Sequence, residues 1–461
     1  MLCGIGRGVF HVETIETPGL GDRSYVADDG AVAVVVDPQR DIDRVRRVVD
    51  ARGVRVTHVL ETHVHNDYVS GGLELARTAG AEYVLAAAET LAFDRRSVRD
   101  GDELHAGSMT LRVLRTPGHT PEHLSYLLLA EDRPEAVFTG GCLLFGTVGR
   151  TDLLGQERAD ELSRAQYGSV RRLLHMLPDD VAVHPTHGFG SFCASASGTG
   201  AEAGTVGEER RGNLASTADD EEHFVGELLG GLTAHPGYYA HMAPINRAGP
   251  PPLDLSPPQP VDAGDLRRRI RAGEWVVDVR GRRPYAQRHL TGTVNVQLAD
   301  PFATYLGWAM PWGTAVTLVG DDPGDIAQAQ RAMARIGIHR PAGEATGGVG
   351  RYAAGGRTRS YRVARFADLA ERRRQAAPTV LDVRRDDEWA DGHIRDAIHV
   401  PLDQVERRLG DLPGDEVWVH CASGYRAAIA ASLVDRTGKA VVLVDDEFTA
   451  ARDAGLEIVS P

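Results

Sequence analysis

The sequence predicts an α/β protein made of a front domain and two copies of a parallel α/β module. Three observations predict it. Residues 10 to about 190 alternate short β-type runs with helical stretches. The stretch Arg247-Ala248-Gly249-Pro250-Pro251-Pro252, continuing to Pro257-Pro258-Gln259-Pro260, reads as a semi-rigid linker. Beyond it the sequence repeats. Val277-Asp278-Val279-Arg280 returns as Leu381-Asp382-Val383-Arg384, His289-Leu290-Thr291-Gly292 as His393-Ile394-Arg395-Asp396, and Asn295-Val296-Gln297-Leu298 as His399-Val400-Pro401-Leu402, each 104 residues later. That period is too long for a solenoid unit and reads as a duplicated domain. Strands alternate with helices in each copy, so a parallel sheet is expected in both.

In the front domain, Val32–Val36 reads as a buried strand, Asp41–Ala51 as a helix and Val56–Leu60 as the next strand. Residues 191–215, rich in Ser, Gly, Ala and Thr, read as a long loop, and 219–232 as a helix. The second copy of the repeat begins near Tyr361, after the turn Gly355-Gly356. The domains expected are 8–250, a linker at 251–260, a first copy at 261–356 and a second at 361–461.

Composition narrows the function. The 461 residues suit several domains, and 42% hydrophobic with 25% charged residues is an ordinary globular balance. The net charge of −14, with no basic tail against it, argues against nucleic acid and anionic membranes as partners. Lys439 is the sole lysine among 51 basic residues, which reads as codon bias rather than phosphate recognition. No apolar run nears the roughly 18 residues of a membrane helix, and Met1-Leu2-Cys3-Gly4 leads into no targeting segment. Four scattered cysteines, Cys3, Cys142, Cys193 and Cys421, fit free thiols in a reducing cytoplasm.

The most reactive of these should be Cys421. Val417–His420 reads as a strand running into Cys421-Ala422-Ser423-Gly424-Tyr425-Arg426 and an Ala-rich helix. Backbone N–H groups and a helix N-terminus around a thiol stabilise its thiolate, and Arg426 adds positive charge. The Asp-x-Arg strand, Gly392-His393-Ile394 and the Cys-x-x-Gly-x-Arg loop resemble the rhodanese family. The resemblance implies that Cys421 carries sulfane sulfur, with Ala422, Ser423, Gly424, Tyr425 and Arg426 as its binding loop. In the first copy, alignment of Ala315–Val319 with Glu416–His420 puts Gly320 in place of Cys421 and Asp325 in place of Arg426. That copy is therefore expected to be a non-catalytic rhodanese fold.

Histidines cluster in the front domain: Thr62-His63-Val64-His65-Asn66-Asp67-Tyr68, Pro117-Gly118-His119-Thr120 and His184-Pro185-Thr186-His187-Gly188. Imidazoles on short loops at strand ends can converge on one ion, and neutral imidazole suits zinc or iron. Together with Phe138-Thr139-Gly140, Gly149-Arg150-Thr151-Asp152 and Thr205-Val206-Gly207-Glu208-Glu209-Arg210-Arg211, these motifs resemble the metallo-β-lactamase superfamily, and in it the persulfide dioxygenase branch. The resemblance implies an αββα sandwich with a metal site at its edge. It also implies one metal ion, iron(II) first and zinc as the alternative, and oxidation of a thiol persulfide by O₂ to sulfite.

Two positions depart from the family. Tyr68 stands where dinuclear hydrolases carry a second-site histidine, which favours a mononuclear centre. Gly141 stands where the family carries the Asp of its two-His-one-Asp iron triad. His65 joining His63 and His119 would make a three-His site; Asp67 or Asp152 are the carboxylates that would otherwise reach in; His187 is a further ligand or second-layer candidate. Cys142, beside the gap, is read as buried rather than ligating. Gly141→Asp is expected to strengthen iron binding, unless a positive φ is what demands glycine.

The function expected is oxidation, or hydrolysis, of a low-molecular-weight thiol persulfide, coupled to sulfane-sulfur transfer by Cys421. Thiosulfate is the other substrate class, O₂ the co-substrate, and a homo-oligomer is compatible. The alternative is a sulfurtransferase or sulfur carrier whose front domain is degenerate at Gly141.

Overall fold

The computed structural model describes residues 10–188, 190–195, 201–353 and 357–460. Cys3 and the Met1–Gly4 start, like the Gly355-Gly356 turn, lie outside them. The chain forms two compact units divided between Leu253 and Asp254, inside the proline-rich stretch; Ala334–Gly337 groups with the first.

The first unit is two six-stranded sheets with helices outside. One sheet runs in sequence order through β1 (His11–Thr17), β2 (Asp22–Asp28), β3 (Val32–Val36), β4 (Arg55–Leu60), β5 (Glu82–Ala86) and β6 (Arg96–Val98). The other holds β7 (Glu103–Ala106), β8 (Met109–Arg115), β9 (Leu124–Ala130), β10 (Arg133–Gly140), β11 (Ala182–Pro185) and β12 (Gly204–Thr205), in the order β12-β11-β10-β9-β8-β7. The β3 sequence VAVVV shows why the layers stack. Val34 and Val36 face the core between the sheets, with Leu60, Val113, Tyr126 and Phe138. Ala33 and Val35 face the outer layer, with Val45 and Leu75 from helices Asp43–Arg52 and Gly72–Ala79. A strand covered on both faces has no polar alternation to offer, so the run is continuously apolar. Helix Gln156–Met176 covers the second sheet through Val170, Leu173 and Leu174. The architecture is the αββα sandwich expected.

Two segments differ from the sequence reading. Inside the stretch read as loop, Val206–Gly212 is helical, opened by a capping box between Thr205 and Glu208. Seven residues are too few for a period to show. Helix Tyr239–Ala248 carries Pro244 inside it and was invisible for that reason. The helix expected at 219–232 spans Glu221–Gly230, capped by Asp220.

The second unit holds two parallel sheets of matching order. In the first copy the order is Val294–Asn295, Trp275–Asp278, Val316–Val319, Gly343–Ala345, and Pro260 adds a single parallel bridge to Glu344 at the far edge. In the second it is Ile398–His399, Thr379–Asp382, Glu416–His420, Ala440–Val444, Arg362–Ala364. One core joins the copies: Trp275, Val277, Phe302, Leu306 and Met333 from the first pack with Leu381, Val419, Ile429 and Leu433 from the second. Among the described residues no helix is long and apolar enough to cross a membrane.

Candidate functional site

Every loop that carries a histidine motif leaves its sheet at one edge. Thr62 and His63 follow β4, His119 follows β8, Gly141 follows β10 and His187 follows β11. The convergence is a product of the fold: parallel neighbours β3, β4 and β5 in one sheet, and β10 and β11 in the other, deliver their C-terminal ends to the same rim.

The rings that meet there are His63, His119 and His187, all buried. Their centroids form a near-equilateral triangle, 4.8 Å for His63–His119 and 5.2 Å for each of the other two sides. Each ring is anchored through Nδ1. His63 Nδ1 meets Thr62 Oγ1 at 2.9 Å, and His119 Nδ1 donates to the Arg150 carbonyl at 2.7 Å. His187 Nδ1 meets Asp22 at 2.9 Å and Asp67 at 3.2 Å. The Nε2 atoms are left for each other: His63 and His187 approach to 3.3 Å, and buried His119 Nε2 has no hydrogen-bond partner.

His65 takes a different post. Its Nε2 lies 3.3 Å from Asp37 and 3.2 Å from Glu61, and its ring stacks on Tyr68 at 4.3 Å. Of the carboxylates weighed from sequence, Asp67 lies in the cluster, with an oxygen in one ligand-sized group with His65 and His187. Asp152 is held by Arg150 in a two-pronged pair, 2.7 and 2.8 Å, away from it. Asp22, Asp37 and Glu61 were missed. Asp37 had a signal, since an Asp-Pro at a strand end sits where a chain turns out of a sheet, and its φ of 49° is strained for a non-glycine.

Charge separates the rings. Burial holds His119 down at about 3, helped by His187, and pushes His63 well below its usual value, so both are neutral donors. Burial also disfavours charge on His187 and His65, but carboxylates outweigh it: Asp67 and Asp22 hold His187 up at about 10, and Asp37 and Glu61 hold His65 up at about 9.

Gly141 is not at positive φ, so backbone strain is not what keeps it glycine. The space is the reason. A Cβ there would stand 2.3 Å from Cδ2 of the His119 ring. The expectation that Gly141→Asp strengthens metal binding is therefore reversed. The added carboxylate would have to displace a ring that is itself a donor, and metal affinity should fall by about 10-fold or more. Competition of the purified variant against a chelator checks this.

Cys142, 2.9 Å through its N–H from Thr139 O, is fully buried, as is Cys193. Burial pushes the Cys142 thiol up to about 12 and raises Cys193 as well. Neither should alkylate in the folded protein under iodoacetamide at pH 8, and peptide mass spectrometry would show any adduct.

Cys421 stands between the strand Glu416–His420 and the helix Tyr425–Asp435. Its Sγ accepts from the N–H groups of Gly424 at 3.2 Å and Ala427 at 3.3 Å. Gly424 makes the curl possible: its φ is 87°, and a Cβ would stand 2.4 Å from Asp445 Oδ1. Ser423 is exposed at the tip, and Ala422 anchors the loop by accepting from Phe448 N at 2.7 Å. Arg426 does not stand free beside the sulfur; Glu388 grips it through both oxygens, at 2.5 and 2.8 Å. Residues of the first copy reach the same loop. Tyr425 Oη donates to Gln297 O at 2.5 Å, the Tyr305 ring lies 5.4 Å from the Tyr425 ring, and Arg282 and Arg283 each meet Asp445 at 2.7 Å. In that copy Gly320 follows its strand as Cys421 does here, with no side chain to react.

Comparison with known proteins agrees with this layout. Residues 366–454 match the family model of the rhodanese-like domain. Over 46% of its length the chain is 31% identical to "Persulfide dioxygenase ETHE1, mitochondrial" of Homo sapiens, covering 75% of that protein. It is 41% identical to a human hydroxyacylglutathione hydrolase-like protein over 32% of the chain and 48% of that relative. A solved metallo-β-lactamase from Staphylococcus aureus superposes with a TM-score of 0.65 at 27% identity, covering 73% of this chain and 99% of that one.

Proposed function

From a chain that belongs to the persulfide dioxygenase family of the metallo-β-lactamase fold and ends in a rhodanese-like domain, we propose a metal-dependent enzyme that oxidises a low-molecular-weight thiol persulfide and moves its sulfane sulfur through Cys421. The observation that carries the reading is the buried pair His63 and His119, each fixed through Nδ1 and each presenting Nε2 to the same space. Neutral, pre-oriented imidazoles with an orphaned nitrogen fit a bound metal ion and fit little else in a protein interior.

The reaction balances as persulfide RSSH with O₂ and water giving thiol RSH, sulfite and two protons. Iron(II) bound there supplies the chemistry with O₂; zinc would supply Lewis acidity for hydrolysis instead. The chain's own part is to hold the donors and keep the rim dry. Thr62, the Arg150 carbonyl and the Asp22–Asp67 pair set the ring planes, and Arg150 is itself fixed by Asp152. At the other site the Cys421 thiolate attacks the outer sulfur of a persulfide or of thiosulfate. Thiol or sulfite leaves, and the new persulfide rests on the Gly424 and Ala427 N–H groups. The first copy, 261–356, acts as a nucleophile-free rhodanese-like partner that lines the mouth of that loop.

The second reading, a sulfurtransferase with a degenerate front domain, draws on Gly141. One experiment separates the two: metal analysis of anaerobically purified protein, followed by O₂ uptake on glutathione persulfide. One equivalent of iron and persulfide-dependent O₂ uptake are expected. No metal and no O₂ uptake, with sulfur transfer intact, would leave the sulfurtransferase. Two equivalents of metal would overturn the mononuclear reading that Tyr68 supports.

A further inference from the structure

We infer that His187 is the third ligand of the metal centre, so that this chain binds its ion through three histidines where the family uses two and an aspartate. The inference rests on the metal-dependent reading above and says how the centre survives Gly141.

Four observations carry it. Two nitrogens held tetrahedrally at about 2.0–2.1 Å from zinc stand about 3.3 Å apart. His63 Nε2 and His187 Nε2 stand 3.3 Å apart, the separation two ligands of one ion would have. Second, the three centroids are almost equidistant, and the three donor atoms lie within 4.8 Å of one another. Third, all three rings use Nδ1 on the protein, which commits Nε2 to the centre. Such outer partners fix the ring and raise its basicity. Fourth, the space that an aspartate at 141 would need is filled by the His119 ring.

The charge follows the same logic. A carboxylate ligand lowers the charge of a dication directly. Here Asp22 and Asp67 act one step further out, 2.9 and 3.2 Å from His187 Nδ1, both buried at 1% exposure or less for their side chains. A carboxylate on Nδ1 polarises the imidazole, and on binding the metal ion takes the place of the Nε2 proton. The anion lost at position 141 is thus regained through His187. His65 meets Asp37 and Glu61 through Nε2 and keeps a buried, unpartnered Nδ1, so it is the rival third ligand that the test below separates from His187.

Metal binding itself gives the test, independent of turnover. Wild type, His187→Gln, Asp67→Asn and His65→Gln are loaded with Zn(II) under a competing chelator, and folding is checked by circular dichroism. His187→Gln should lose about 100-fold or more in affinity and Asp67→Asn about 10-fold, while His65→Gln changes less than either. X-ray absorption of the zinc form should count three imidazoles in wild type and two in His187→Gln. If His187→Gln keeps wild-type affinity and imidazole count while His65→Gln loses them, the third ligand is His65 and the inference is overturned while the metal reading stands. Failure of wild type to bind zinc or iron would overturn both. Asp67→Asn covers the case in which His187→Gln does not fold.

Discussion

Cys421→Ser is expected to lower sulfur transfer from thiosulfate or a persulfide to cyanide or a thiol by on the order of 10³-fold or more, the scale on which losing a nucleophile acts. A hydroxyl has the shape of the thiol but not its nucleophilicity, and it cannot form the persulfide that the Gly424 and Ala427 N–H groups are placed to receive. Metal content and O₂ uptake should be untouched, because Cys421 belongs to the second unit. Gly320→Ala should be silent in the same assay. A Cβ there meets Ile326 and Val279 side chains at 3.2 Å, a contact that small shifts relieve, and no reacting group is lost. Wild-type transfer by Cys421→Ser, with loss on replacing Cys142 or Cys193, would place the sulfur carrier elsewhere.

The second large effect belongs to His119→Ala. The ring is a neutral donor that burial keeps at about 3, and it blocks the space beside Gly141. Removing it takes away a ligand and opens a buried hole. Metal affinity should fall by at least about 100-fold, since even loss of an outer partner costs about 10–100-fold. Persulfide-dependent O₂ uptake should disappear with the metal. An oxygen electrode and elemental analysis on the same preparation read both. Robust uptake by metal-replete His119→Ala would remove His119 from the centre.

The sequence carried much of this because strands and motifs are local. A continuous apolar run such as Val32–Val36 can be read without its neighbours, and so can a strand ending in Cys421 before a helix. What sequence could not carry was which of several imidazoles face one another. His63 and His65 alternate along one stretch, and spacing alone pairs them; the contacts of His65 Nε2 with Glu61, on the same stretch, and with Asp37, from the end of β3, could not be read from that spacing. Arg426 taught the same lesson. Its charge was legible, but its pairing with Glu388, 38 residues away, was not. Gly141 in place of the aspartate the resemblance implies was legible in the motif, while the ring that fills the space beside it, from the loop after β8, was not.

The core shared by the two repeat copies constrains how this gene can be cut and how it can drift. Trp275, Phe302 and Leu306 are buried against a neighbour that a break between residues 353 and 357 would take away. Each such side chain bared to water forfeits about 1.5–3 kcal/mol, and a handful exhausts the ~5–15 kcal/mol that keeps a domain folded. The first copy, with Gly320 where the second has Cys421, is therefore constrained in shape by the face it buries against its twin. Its loop at Gly320 is free to change, whereas its inward face is held by its twin. Expressed alone, either half should aggregate; expressed as separate chains in one cell, the halves should find each other.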